Sequence, residues 1–131
     1  MTRAFFVLAF GVLVFVGTIP LAGHHSFAAF YLERESMSVE GDLTELDYRS
    51  PHAWVHVQVT DSEGQPQIFS AEWANPTRLK REGITRETLK PGDHVIVTGA
   101  PGRNASENRL HLKRIQRLAD GWSWGDRGAR R

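Results

Sequence analysis

The stretch NPTRLKREG, residues 75–83, decides how the chain folds. Asn75 is a residue type that caps the start of a helix, and Pro76 suits the first helical position. Gly83 supplies the left-handed residue that ends one. The spacing predicts a short helix of about two turns. TRETL (85–89) allows a further helical turn, and KPGD (90–93) reads as a tight turn. Everything around this segment alternates with period two. In AWVHVQVT (53–60), Val55, Val57 and Val59 point one way while Trp54, His56 and Gln58 point the other. DSEG (61–64) is turn chemistry, and QIFSAEWA (67–74) returns as an antiparallel partner. Before them, SVEGDLTELDYRS (38–50) reads as a polar strand bent or bulged at its glycine. After the helix come HVIVTG (94–99) and RLHLKRIQRL (109–118), joined by APGRNASEN.

Three strands, a helix and two strands form the element order of a five-stranded oligonucleotide/oligosaccharide-binding (OB-like) barrel. Closing the sheet removes open edges, which a small domain covers with difficulty. An open sandwich would leave the helix without a role. The expected fold class is therefore mainly β, an OB-like barrel with one short helix between strands 3 and 4.

The barrel follows a leader. Arg3 precedes the uncharged apolar run FFVLAFGVLVFVG (5–17), Pro20 stops any helix, and Ala22 and Gly23 are small. This layout predicts a secretory signal peptide over 1–23. An N-terminal arm (24–37), the barrel (38–120) and a flexible basic tail (121–131) are expected to follow, the alternative being that the alternating Trp122 and Trp124 add to a sheet edge. If the signal were retained, it would be the chain's contact with a membrane. The chain has 16 basic and 15 acidic residues. Losing Arg3 with the leader balances them, which argues against a nucleic-acid partner. With no cysteine there is no disulfide or thiolate metal site. A periplasmic location in a Gram-negative cell is the expectation.

The mature chain resembles a family of small uncharacterised bacterial exported proteins, catalogued as a domain of unknown function. His24, His25, Ser26 and Phe27 carry the resemblance, with Pro51, His52 and Trp54, and with Leu89 to Asp93 running on to Pro101. Where the family often has Asn before Pro-His, this chain has Ser50. The resemblance spans nearly the whole mature chain. It implies compartment and architecture, and no activity.

The chemistry concentrates in histidines. A cut after Gly23 makes His24 the first residue, whose amine and Nδ1 chelate Cu(II) and leave a place for an imidazole from the fold. A cut after Ala22 puts His25 third, where amine, two backbone amides and imidazole surround Cu(II) in a plane. His52 and His56 share a strand face about 13 Å apart, so one ion does not readily take both. His52, at the strand's mouth, is the expected partner of His24 and His25. His94 and His111 are expected on the outer surface, unconnected to a site, and Glu33, Glu35 and Glu72 are expected to be solvated. No nucleophile or phosphate-binding pattern occurs, so a non-enzymatic binding protein is expected. The alternative is a metal-free module that docks an envelope protein or a glycan through Trp54, His56, Gln58 and Trp73.

Overall fold

A computed structural model describes residues 26–125. Its strands are β1 (Met37–Asp47), β2 (Trp54–Thr60), β3 (Pro66–Glu72), β4 (His94–Pro101), β5 (Arg109–Arg117) and β6 (Ser123–Gly125). The helix α1 (Pro76–Arg81) lies between β3 and β4, and 3-10 turns occupy Phe27–Ala29 and Ala105–Glu107. The sheet runs β3-β2-β1-β4-β5-β6, and a parallel pairing of β3 with β5 closes the first five strands into a barrel. The expected OB-like barrel is the fold. The expected signal peptide lies outside the described residues.

The strand that begins the barrel serves two neighbours. Met37–Asp42 pairs with β4, and Asp42–Asp47 pairs with β2, with a register shift between Leu43 and Glu45. Gly41 sits at the changeover, where a Cβ would run into the Gln58 carbonyl. Glycine is required there because the backbones approach too closely for a side chain.

The alternation read from β2 holds: Val55 and Val57 are buried, while Gln58 is exposed. They pack with Leu43, Val95, Val97, Leu110, Leu112 and Ile115 in one core. Each such side chain contributes about 1.5–3 kcal/mol by leaving water. The helix starts where Asn75 accepts the Arg78 backbone N–H at 2.9 Å. It ends ahead of Gly83 at φ +82°, and its Leu79 is fully buried in the core.

Two boundaries differ from expectation. The arm is part of the folded body, because Tyr31 is 1% exposed and pairs with Gly102 in an antiparallel bridge. Leu32 N–H donates to the Pro101 carbonyl at 2.8 Å, and Arg103 N–H to that of Phe30 at 2.9 Å. The expected tail also enters the sheet, since Ser123–Gly125 pairs with Arg114–Gln116 as β6. Trp122 and Trp124 gain apolar cover against the core there, which outweighs fraying. The remainder of that tail, 126–131, lies outside the described residues.

Candidate functional site

The seam that closes the barrel places Glu72, the last residue of β3, opposite His111 of β5. Alternation turns both side chains away from the core, since their neighbours Ala71, Leu110 and Leu112 are buried. Glu72 then gathers three partners. The Tyr31 hydroxyl donates to its Oε2 at 2.6 Å and the His52 Nδ1 to its Oε1 at 2.7 Å, and the Arg109 guanidinium lies 3.9 Å from Oε2. Burial, then the bond to Glu72, holds the Tyr31 hydroxyl well above its ordinary pKa. His52 follows Pro51, whose peptide bond with Ser50 is cis.

Across the seam His111 repeats the arrangement. Its Nδ1 donates to Glu33 Oε1 at 2.6 Å, and Lys113 Nζ donates to Glu33 Oε2 at 2.7 Å. Burial pushes the Glu33 carboxyl up, but these donors reverse the effect and hold it below the ordinary carboxylate value. Phe27 joins the two halves. Its ring stacks on His111 at 3.7 Å and 10°, and lies 5.3 Å from the His52 ring. Both imidazoles and Phe27 line a cavity of about 700 Å³ with Arg78, Lys113 and Trp124.

An ionised carboxylate only accepts hydrogen bonds, so each Nδ1 carries a proton and a neutral ring keeps its lone pair on Nε2. Neither Nε2 has a hydrogen-bond partner among the described residues. Carboxylates orient metal-ligating histidines in this way, fixing the tautomer and raising basicity. Among the described residues, no cluster of three or more His, Asp or Glu side chains is arranged to hold a metal ion. A metal here would need a donor from elsewhere.

The predicted residues divide accordingly. His52 lies in this cluster, while His24 and His25 lie outside the described residues. Their chain neighbour Phe27 abuts both imidazoles. Trp54 and His56 share a shallow hollow with Arg109, whose guanidinium sits 5.0 Å over the Trp54 ring. His56 Nδ1 and Ser70 Oγ are 2.9 Å apart, and Gln58 stands exposed outside the hollow. Trp73 corrects the expected ligand face. It is 1% exposed in the core, edge-on to Trp124 at 5.1 Å, because it continues the inward alternation of Ala71, whereas Trp54 is paired with outward-facing Glu72. Trp54 and Trp73 therefore form no outward pair for a sugar to stack on.

His111, Glu33 and Glu72 also correct the expectation of unconnected, solvated groups. They sit 14%, 28% and 14% exposed and paired. The outward position of His111 was readable from RLHLKRI. Its partner Glu33 comes from 78 residues earlier in the chain, and no local signal announces it.

A family model described as a family of unknown function (DUF6152) matches residues 12–111. No curated protein sequence matches the chain. Among solved structures it is similar to the mitochondrial single-stranded DNA binding protein Rim1 of S. cerevisiae. That likeness is 16% identical at TM-score 0.50, over 64% of this chain and 92% of that one. A small single-stranded DNA-binding protein from Streptomyces coelicolor is 14% identical at TM-score 0.40, over 67% and 96%. A ZRD-deleted mutant of TiaS in complex with agmatine is 20% identical at TM-score 0.46, over 74% and 23%. The likeness to Rim1 shows the barrel fold and nothing about ligands.

Proposed function

Since the chain belongs to the DUF6152 family, a family of unknown function, its role has to be read from its own residues, and we propose that it is a periplasmic, non-enzymatic Cu(II)-binding protein. Export and cleavage after Gly23 leave His24 as the first residue. Its amine and Nδ1 chelate the ion, and the Nε2 of His52 completes a nitrogen set that suits copper. One observation carries this reading: Phe27, three residues after His24, packs 5.3 Å from the ring of His52, whose Nδ1 is held by Glu72. Three residues span at most about 11 Å, so the amine starts within reach of that imidazole.

The alternative cut, with His25 third, gives a planar chelate that uses no imidazole from the fold. An oriented His52 beside the incoming chain favours the first arrangement. The metal-free docking reading has lost its tryptophan pair, because Trp73 is buried.

The test starts from protein recovered from the periplasm, with its first residue read by mass spectrometry and Cu(II) titrated against a competing chelator. The expected outcome is a chain beginning at His24 that binds one Cu(II), with His24→Ala weakening binding at least tenfold. A chain that retains the leader, or that binds no more tightly than a scrambled peptide, overturns the proposal.

A further inference from the structure

We propose that the cavity between β5, α1 and β6 binds a small organic carboxylate, held by the indole N–H of Trp73 and the guanidinium of Arg78. The site needs no metal and draws on neither His24 nor His52, so it goes beyond the copper reading and stands or falls apart from it.

The first observation is an unmade hydrogen bond. Trp73 is 1% exposed, and its Nε1 is the one buried side-chain nitrogen or oxygen among the described residues without a hydrogen-bond partner. An indole N–H only donates, and leaving it unpaired away from water costs stability. A group left unpaired in this way calls for an acceptor from outside the fold. Trp73 lines the cavity of about 700 Å³, so an acceptor has a place to come from. Trp124 stands edge-on to Trp73 at 5.1 Å, on the three-residue strand β6, and the acceptor reaches the N–H past this ring.

The rest of the wall says what that acceptor carries. The Arg78 guanidinium lies 5.7 Å from the same Trp124 ring. Its Nε donates to Glu82 at 2.9 Å, and its two terminal nitrogens have no hydrogen-bond partner among the described residues. Lys113, in the same wall, gives one proton to Glu33 and keeps two more to offer. Indole, guanidinium and ammonium are donor-only groups, which together suit an anion. Glu82 is the one carboxylate in the lining, and it is already engaged by Arg78 and by the Trp124 indole N–H. The imidazoles of His52 and His111 also line the cavity, each with its Nδ1 given to a carboxylate outside the lining. Phe27, Leu112 and Trp124 supply apolar wall. Inorganic phosphate would meet the donors and leave those side chains uncovered, whereas a carboxylate on an apolar body meets both. The volume falls within the range of about 300–1,000 Å³ common to small-molecule sites.

The experiment follows the indole N–H resonances of metal-free, chelator-treated protein as benzoate is titrated in, with benzamide and inorganic phosphate as comparisons at constant ionic strength. Benzoate is expected to saturate and to move the Trp73 resonance downfield, the mark of a new hydrogen bond. Benzamide keeps the ring and loses the charge, and phosphate keeps a charge and loses the ring. Each is expected to bind at least about 10-fold more weakly. Arg78→Gln is expected to weaken benzoate binding about 10-fold. The wild-type titrations decide without any variant having to fold. A Trp73 resonance that does not respond to benzoate marks an ordinary buried donor served by water, and overturns the proposal. Benzamide or phosphate binding as tightly as benzoate overturns it too, as does an Arg78→Gln protein that matches wild type. With no copper in the sample, none of these failures touches the copper reading.

Discussion

Two surfaces of this barrel hold histidines against carboxylates, and they do opposite things with them. His94, where β4 pairs with β1, uses both ring nitrogens: Nδ1 meets Asp42 at 2.6 Å and Nε2 meets Glu40 at 3.0 Å. Two acceptors favour the doubly protonated ring, which has no lone pair to offer. His52 and His111 each spend only Nδ1 on a carboxylate. The first arrangement favours a cation, and the second leaves Nε2 without a hydrogen-bond partner among the described residues. Exposure separates them too, at 47% for the His94 side chain against 29% and 14% for the others. The number of acceptors around a ring, more than the nearness of acid, decides what an imidazole can do.

The largest expected contrast is in stability. Glu72→Ala strips the buried Tyr31 hydroxyl of its acceptor and leaves His52 and Arg109 without their carboxylate. It should cost about 2–3 kcal/mol, read as a Tm fall of about 4–8 °C per kcal/mol. Asp42→Ala, beside His94, should leave Tm at pH 8 within error of wild type, because the pair is exposed and screened. Equal losses in the two variants would break the distinction.

A smaller change sharpens it. Tyr31→Phe removes one donor to Glu72 while the ring keeps its packing, and should cost about 1 kcal/mol in denaturant unfolding. No loss at all would mean that Glu72 is held by His52 and Arg109 alone.

The smallest effect belongs to the exposed cluster and depends on pH. Hydrogen bonds to Asp42, then Glu40, raise the pKa of His94 above its ordinary value of 6.5. A raised folded-state value means that the stabilisation is complete below the ordinary value and disappears as pH rises through the raised one. His94→Gln should therefore lower Tm slightly at pH 5.5 and not at pH 9. A gap that does not change with pH would show that the charge contributes nothing.

What the sequence disclosed and what it hid follow from range. The inward valines of β2, the Asn75–Pro76 helix start, the Gly83 stop and the Lys90–Asp93 turn are set by neighbours in the chain, and each stands where its pattern puts it. Tyr31 was hidden because nothing near it in sequence shows that Gly102 will pair with it. Trp73 was assigned to the Trp54 face although it lies two residues from inward-facing Ala71, so alternation itself puts it in the core. The candidate site was half legible. His52 stood out by its place after Pro51, but His111 acquires Glu72 only when β3 meets β5, and Glu33 and Phe27 only when the N-terminal arm docks through the Tyr31–Gly102 bridge.

That junction has a thermodynamic consequence. Ser70–Glu72 and Arg109–His111 are brought together only by folding, and their parallel contact is what turns an open ribbon into a cylinder. Amides along this joint should therefore exchange only when the cylinder itself opens, more slowly than those beside the turn of the hairpin from β2 to β3.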